Sequence, residues 1–210
     1  MTIKVIGFAR STNTLRVISC LNELGIPYQL EPPADFAAIK KDDYLANKHP
    51  FGKIPVLYDG DYKISESRAI CRYLVSKYQG KYNNTILIPH DVHEAGLVDQ
   101  FIFYESFYYE PVVAKIIIHE IVLKTPESEI AKRALKDLDK VLGVYDKLLE
   151  GKEYLNGEFS LADLFHYPCA HFIYSSHADL WDKRPNVKKW LNRLRNRDAW
   201  KASLEKKNKL

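Results

Sequence analysis

The sequence predicts an α/β domain followed by an all-α domain, because its periodicity changes along the chain. The first 78 residues alternate short β-rich runs with segments of helical spacing. Residues 79–91 contain glycine, asparagine and proline without periodicity, which is typical of a linker. After the linker, apolar residues recur at helical spacing only. We therefore predict a first domain at 1–78, a linker at 79–91 and a helical-bundle domain at 92–210.

The first domain follows the order βαβ and then ββα. Residues 3–7 form an apolar strand, residues 15–24 repeat leucine and isoleucine at helical spacing, and residues 26–30 return as a strand. Asp59-Gly60 separates two β-rich runs and is a strong hairpin signal. A helix begins directly after this hairpin. This order is that of the thioredoxin fold, so we expect a thioredoxin-like domain.

One helix start in the second domain is marked by its capping residues. Ser160 is predicted as the N-cap, and Asp163 can return a hydrogen bond to the Ser160 N–H. Phe159 and Leu164 occupy the positions of a hydrophobic staple. We interpret this motif as a folding element rather than a site of chemistry.

The composition favours a soluble protein of a reducing compartment. Hydrophobic residues make up 46% of the 210 residues, and no apolar run is long enough to span a membrane. The N-terminus lacks the pattern of a signal peptide. Three cysteines lie far apart without a C-x-x-C pair, which argues against a disulfide framework and a thioredoxin-type redox motif. We expect a cytoplasmic protein.

A block of basic residues closes the chain, from residue 183 to residue 210. Such a block can bind nucleic acid or an anionic membrane, but no motif or aromatic interleaving accompanies it. We favour a solvated helix face with an apolar face beneath it, and expect no nucleic-acid partner. The final Asn208-Lys209-Leu210 resembles a peroxisomal tripeptide with asparagine in place of serine, which is a weak signal.

Histidines and cysteines of the second domain suggest a metal site that we do not favour. His166 and Cys169 share a helix face, but His171 falls off it and Pro168 bends the segment. We therefore expect no metal. Cys20, far from these residues, lies among apolar positions of a helix and is interpreted as a core thiol, as is Cys71.

Residues 50–70 carry the strongest sign of function. Pro55 opens a strand or fixes a rigid loop, and the sequence leaves its isomer open. Glu66 and Ser67 stand at a helix start, where free N–H groups and the helix dipole favour a carboxylate ligand. Taken singly, Ser67 is an ordinary N-cap, and so is Ser11 at the start of the first helix.

Taken together, these residues resemble a known family. The loop, strand-opening proline and acid-serine helix start of residues 50–70 resemble the glutathione-binding half of the cytosolic glutathione transferases, particularly the serine-type, phi-like class. The motif at Ser160 and Asp163 resembles the buried capping box of that family's helical domain. Two separated motifs in the right order extend the resemblance from Ile3 to Trp200. It implies a two-domain, dimeric enzyme that uses glutathione as co-substrate and no metal.

The resemblance implies a role for each matched residue. Ser11 donates its hydroxyl hydrogen bond to the glutathione sulfur and favours the thiolate, with Thr12 as the nearest alternative and Thr14 as a more distant one. The Ile54 backbone, before a cis Pro55, pairs with the cysteinyl unit. Glu66 binds the γ-glutamyl ammonium. The remaining glutathione-binding residues are Thr12, Ser67 for the γ-glutamyl carboxylate, and Lys53 with one or both of Lys40 and Lys41 for the glycine carboxylate.

Two positions depart from the phi-like pattern. Lys40 stands where histidine is common, and Arg10 stands where a small residue is usual. A lysine can still neutralise a carboxylate, but as a point charge with different geometry.

The resemblance also implies a hydrophobic substrate site and a subunit contact. We expect apolar side chains between the domains to line the site, although core packing is the alternative for each helical aromatic residue. Phe51 resembles the aromatic residue that packs into the partner subunit of a homodimer. The predicted lining residues are Phe8, Phe36, Tyr108, Tyr109, Ile117 and Ile118.

The predicted function is conjugation of glutathione to hydrophobic electrophiles, as in detoxification, with hydroperoxide reduction as a side activity. The alternative is a non-catalytic carrier of hydrophobic ligands or an interaction module on the same scaffold. A glutathione-dependent thiol oxidoreductase is ranked last, because that class has cysteine where Ser11 stands.

Overall fold

The computed structural model describes residues 2–205. These residues form two compact units, one made of residues 2–87 with 197–205 and the other of residues 88–196. Asn208, Lys209 and Leu210, the predicted targeting tripeptide, lie outside the described residues.

The first unit contains the predicted four-stranded sheet. Its strand order is β2-β1-β3-β4, with β2 parallel to β1 and the two other pairs antiparallel. The βαβ-ββα order predicted from the sequence, and with it the thioredoxin-like fold class, is confirmed. The elements are β1 (Ile3–Ile6), α1 (Thr12–Glu23), β2 (Tyr28–Glu31), a 3-10 turn (Ala38–Lys40), α2 (Asp42–Asn47), β3 (Val56–Asp59), β4 (Tyr62–Ser65) and α3 (Ser67–Tyr78).

Buried apolar residues of this unit lie on strands β1 and β3 and on helices α1 and α3, which pack against each other. Val5 and Leu57, at the centre of paired strands β1 and β3, are fully buried. Cys20 and Cys71 are fully buried on α1 and α3, and burial raises the pKa of the Cys20 thiol well above its ordinary value. Both cysteines are free thiols, as expected for core residues.

A carboxylate joins the end of β3 to helix α3. Asp59 Oδ2 accepts hydrogen bonds from the Tyr73 hydroxyl, the Lys77 ammonium and the Tyr78 hydroxyl, each at 2.6 Å. Burial acts to raise the pKa of Asp59, but the three donors outweigh it and lower the pKa to about 2. The network therefore holds α3 against the hairpin through an ionised carboxylate.

The second unit is helical. Helical structure continues without a break from residue 92 to residue 122, with two π-helical segments, Glu105–Tyr109 and Ile118–Val122. Its α-helices are α4 (Val92–Tyr104), α5 (Glu110–Ile117), α6 (Glu129–Leu148), α7 (Leu161–Ile173), α8 (Ala178–Asp182) and α9 (Pro185–Asn196).

The start of α7 carries the predicted capping box. Asp163 Oδ2 accepts from the Ser160 N–H at 3.1 Å and from the Ser160 hydroxyl at 3.3 Å. Asp163 Oδ1 accepts from the Leu155 N–H at 2.9 Å and from Trp190 Nε1 at 2.8 Å. Burial raises the pKa of Asp163 to about 6, although these four donors act to lower it. The carboxylate thus ties a loop, a helix start and α9 together.

His166 is a core residue on the same helix. Its Nδ1 lies 2.7 Å from the Ala162 carbonyl oxygen and its Nε2 lies 2.8 Å from the Tyr145 hydroxyl. Both ring nitrogens therefore have partners within the helical core. Within residues 2–205, no group of three metal-ligating side chains is placed to hold an ion.

The basic residues of the described C-terminal part are largely paired. Arg184 contacts Asp139 at 2.8 Å, and Lys188 contacts Asp182 at 3.3 Å. The opposite face of α9 is buried, as the periodicity predicts. That face consists of Val187, Trp190, Leu191 and Leu194.

The last described helix, α10 (Asp198–Glu205), packs on α1 of the first unit. Asn22 donates to the Ser203 hydroxyl at 2.9 Å, and Arg197 contacts Glu23 at 2.7 Å. The sequence prediction assigned these residues to the helical domain. Periodicity identifies a helix, but it does not show which element its apolar face covers.

Within residues 2–205, no helix has the length and apolar character needed to cross a membrane.

Candidate functional site

Strand register brings the predicted site segments to one edge of the sheet in the first unit. Ile6, the last residue of β1, pairs with Val56, the first residue of β3. Val56 in turn pairs with Ser65, the last residue of β4. The loop after β1, the loop before β3 and the turn after β4 therefore start from neighbouring positions. Because each carries candidate residues, this edge is the candidate site.

Ser11 caps helix α1 at this edge. Its backbone is extended, and its Oγ accepts a hydrogen bond from the Thr14 N–H at 3.4 Å. The Ser11 N–H donates to the Phe8 carbonyl at 3.0 Å, which closes the turn before the helix. Within residues 2–205 the Ser11 hydroxyl hydrogen has no acceptor. The half-buried hydroxyl can therefore donate to a ligand at the positive end of α1.

A second helix N-terminus, that of α3, lies at the same edge. Ser67 is 5% exposed, and its Oγ accepts a hydrogen bond from Nη1 of the fully buried Arg16 at 2.8 Å. The Ser67 hydroxyl donates to Asn13 Oδ1 at 3.3 Å, and Arg16 Nη1 donates to the same oxygen. Side chains of α1 therefore bond directly to the first residue of α3.

Glu66 precedes α3 with an unusual backbone. Its φ of 70° is the left-handed conformation that non-glycine residues seldom adopt, and its side chain is 72% exposed. His49 Nε2 lies 3.6 Å from Glu66 Oε1, whereas His49 Nδ1 accepts from the Phe51 N–H at 3.2 Å. His49 is buried and thus links the loop before β3 to Glu66. Sequence reasoning missed this residue, although it directly precedes the loop that was singled out.

The loop before β3 is held from several sides. Gly52 has φ 57°, and a Cβ there would lie 2.5 Å from the Ile39 carbonyl oxygen, so only glycine fits. The Tyr44 hydroxyl donates to the Lys53 carbonyl at 2.9 Å. The bond between Ile54 and Pro55 is cis, as the resemblance implied.

The three candidate lysines differ in their partners. Lys40 donates to the Gly52 carbonyl at 2.6 Å and so supports the loop. Lys41 and Lys53 are exposed, and within residues 2–205 their ammonium groups have no partner. These two lysines are free to meet an anion.

The apolar candidates fall on both units and are described separately. In the first unit, Phe8 and Phe36 pack ring against ring with centroids 4.7 Å apart, and Phe36 is 70% exposed. Phe51 is 74% exposed. Thr12 is half-buried beside Ser11, and the neighbouring Arg10 is exposed.

In the second unit, Tyr108 is 61% and Ile118 46% exposed, and Ile117 is half-buried. Tyr109 is only 1% exposed, and its ring centroid lies 4.9 Å from that of His166. Core packing, the alternative for each helical aromatic residue, therefore describes Tyr109. Tyr108 and Tyr109, consecutive residues of the π-helical segment Glu105–Tyr109, therefore lie in different environments.

The chemistry of the edge suits an extended acidic ligand that carries a weakly acidic group. Two helix N-termini offer N–H groups and positive dipole ends, and Lys41 and Lys53 add mobile positive charge. The open Ser11 hydroxyl offers one hydrogen bond to a group that becomes anionic.

Two family sequence models match the chain. Residues 5–82 match the N-terminal domain of glutathione S-transferase, and residues 108–198 match its C-terminal domain. Glutathione S-transferase PM239X14 of Arabidopsis thaliana is 37% identical over 212 residues, which span 97% of this chain and 92% of the relative. Glutathione S-transferase hmp2 of Hypomyces subiculosus is 39% identical over 217 residues, which span 98% of this chain and 99% of the relative.

Solved structures are similar over the same length. Poplar glutathione transferase F1 aligns with a TM-score of 0.93 at 31% identity, covering 100% of both chains. Glutathione S-transferase I of maize, solved in complex with an atrazine glutathione conjugate, aligns with a TM-score of 0.88 at 30% identity, covering 100% of this chain and 99% of that chain.

Proposed function

This chain belongs to the glutathione S-transferase family. We propose that it binds glutathione, ionises the glutathione thiol and conjugates the resulting thiolate to hydrophobic electrophiles. The resemblance to phi-like members is confirmed by the plant relatives. The sulfur forms a bond to an electrophilic carbon, and the leaving group departs with its electron pair or, in an addition, a proton completes the product.

The observation that carries the proposal is the open hydroxyl of Ser11 at the start of α1. A free thiol has a pKa near 8.5, so only a few per cent is ionised at neutral pH. A hydrogen bond donated to the sulfur and a helix N-terminus both stabilise the thiolate and lower that pKa. Ser11 offers both, since its hydroxyl hydrogen has no acceptor in residues 2–205.

We propose that the rest of the tripeptide extends along the edge of the sheet. The Ile54 backbone, beside Pro55, pairs with the cysteinyl unit, Glu66 binds the γ-glutamyl ammonium and Ser67 binds its carboxylate.

At the other end of the peptide, the glycine carboxylate meets Lys53 and Lys41, because Lys40 is engaged with the Gly52 carbonyl. Thr12, the first residue of α1, stays a candidate glutathione-binding residue and the nearest alternative to Ser11 as the donor.

The pair formed by the half-buried Phe8 and the exposed Phe36 is proposed to contact the electrophile. Tyr108, Ile117 and Ile118 of the second unit stay candidates for the same role, and Tyr109 is left out because it is buried in the helical core. Such substrates fit detoxification, with hydroperoxide reduction by the same thiolate as a side activity.

The assembly and location are further parts of the proposal. Phe51 is a large aromatic side chain at 74% exposure, and its burial against a second copy would support a homodimer. The three buried free cysteines fit the cytoplasm, where thiols stay reduced.

The test is an ultraviolet titration of bound glutathione in the protein and in Ser11→Ala, with conjugation to a chlorinated dinitrobenzene as the second readout. We expect the bound thiol of the unsubstituted protein to ionise near neutral pH. In Ser11→Ala that pKa should return toward 8.5 and kcat/KM should fall about 10²-fold.

Thr12→Val is the matched control and should retain most of the activity. If Thr12→Val abolishes ionisation and Ser11→Ala does not, the donor has been assigned to the wrong hydroxyl. If glutathione binds but its thiol stays protonated in every variant, the chain is a carrier or an interaction module.

A further inference from the structure

A buried arginine lies beneath the helix N-terminus of α3. Arg16 is 0% exposed although a guanidinium stays charged at all physiological pH values. Burying a charge is costly unless hydrogen bonds and nearby groups compensate it. Arg16 Nη1 donates to Ser67 Oγ at 2.8 Å and also to Asn13 Oδ1. A buried charge therefore lies one hydrogen bond away from the residue proposed to bind the γ-glutamyl carboxylate.

The guanidinium of Arg16 fixes which groups donate and which accept among Arg16, Ser67 and Asn13. Since Arg16 can only donate, Ser67 Oγ accepts from it, and the Ser67 hydroxyl is left with one hydrogen to give. In the structure that hydrogen points to Asn13 Oδ1 across 3.3 Å, a long hydrogen bond. The same oxygen already accepts from Arg16. The Ser67 hydrogen can therefore turn to a better acceptor at little cost.

We propose that Arg16 is a positioning residue for the γ-glutamyl carboxylate of glutathione. It holds the Ser67 hydroxyl as a donor and adds positive charge beneath the N-terminus of α3, so the site selects a carboxylate. On binding, the Ser67 hydrogen moves from Asn13 to a carboxylate oxygen, while Arg16 keeps its contact with Ser67. This inference rests on the proposed function.

The test compares three thiol peptides on the full-length protein. These are glutathione, 4-aminobutanoyl-Cys-Gly, which lacks the γ-glutamyl carboxylate, and glutaryl-Cys-Gly, which lacks the ammonium. In Arg16→Gln we expect KM to rise about tenfold for glutathione and for glutaryl-Cys-Gly, because one charge-assisted interaction is lost. KM for 4-aminobutanoyl-Cys-Gly should change less than twofold, and kcat at saturation should stay unchanged. A purely structural role would raise all three KM values together.

Two further variants separate the explanations. Arg10→Gln is the matched control, because it removes an exposed charge close to Ser11 without touching Ser67. It should leave the ratio of KM for 4-aminobutanoyl-Cys-Gly to KM for glutathione unchanged.

Arg16→Lys keeps a buried charge but cannot reproduce the guanidinium geometry, and it decides the matter if Arg16→Gln does not fold. We expect this ratio to shrink in Arg16→Lys, whereas an unchanged ratio overturns the inference. Failure of the unsubstituted protein to bind glutathione at all would instead overturn the proposed function.

Discussion

The two serines that cap α1 and α7 have the same place in their helices and opposite surroundings. Ser160 is 2% exposed, and both its N–H and its hydroxyl donate to Asp163. Ser11 is half-buried and only accepts, from the Thr14 N–H at 3.4 Å. Thr14, at the position that matches Asp163, has a buried Oγ1 without a hydrogen-bond partner in residues 2–205.

This difference separates a cap whose hydroxyl is used within the fold from a cap whose hydroxyl hydrogen is available to a ligand. The carboxylate of Asp163 uses the donors of Ser160 and those of Leu155 and Trp190, so nothing remains for a substrate. At α1 no acidic side chain lies in the first turn, so the Ser11 hydrogen stays available. In these two caps, Asp163 accepts the hydroxyl hydrogen of Ser160, whereas Thr14 at the matching position does not accept that of Ser11.

The largest effect is expected from Asp163→Ala. The change leaves the buried N–H groups of Ser160, Leu155 and Trp190 without their acceptor, and each such loss costs about 1–3 kcal/mol. We expect urea unfolding to show a loss of about 3–5 kcal/mol or an unfolded protein. Ser160→Ala should cost only about 1 kcal/mol. A loss below 1 kcal/mol for Asp163→Ala would show that the capping box does not hold α9.

A smaller effect is expected from Thr14→Asp. This change places at the start of α1 a carboxylate in the position that Asp163 has at the start of α7. The carboxylate would accept the Ser11 hydrogen and place negative charge beside the developing thiolate, so the thiol pKa should rise. We expect kcat/KM for conjugation to fall about tenfold or more, which corresponds to about 1.4 kcal/mol. Thr14→Asn, with nearly the same shape and no charge, is the control. Equal losses in both variants would mean that packing against Gly7 is responsible. The two residues lie so close that a Cβ added at Gly7 would be 2.5 Å from Thr14 Oγ1.

The smallest effect on the free energy of unfolding is expected from lowering the pH, which titrates the carboxylates of Asp59 and Asp163. The pKa of Asp59 is lowered to about 2, so its contribution to stability is complete above about pH 4 and is lost as the pH falls toward 2. The pKa of Asp163 is raised to about 6, so its contribution runs the other way and declines as the pH rises from about 4 to 6.

Unfolding free energies measured against pH should therefore lose the low-pH slope in Asp59→Asn and keep it in Ser160→Ala. A slope that survives in Asp59→Asn would place the acid sensitivity in other carboxylates.

Local sequence patterns predicted the local structure well. Asp59-Gly60 gave the hairpin, and the pair Ser160 and Asp163 gave the capping box. These features depend on residues within a few positions of each other, so spacing and residue type are enough to recognise them. The resemblance to a known family then related the open cap at Ser11 to a chemical role, which spacing alone does not distinguish from an ordinary cap.

Features that depend on contacts between distant segments were not predicted. Sequence analysis did not single out Arg16, which is fully buried and donates to Ser67, 51 residues later. His49 gains its role only when the loop before β3 meets the turn after β4. Tyr108 and Tyr109 are neighbours of the same type, and the sequence did not distinguish the exposed Tyr108 from the buried Tyr109.

The packing of α10 on α1 also orders events during synthesis. Asn22 and Glu23 emerge from the ribosome early, but their partners Ser203 and Arg197 are translated 181 and 174 residues later. The unit that is translated first is therefore completed last, and its first helix must wait with one face uncovered while the whole helical unit is made. A nascent chain that has not yet reached residue 197 would expose that face.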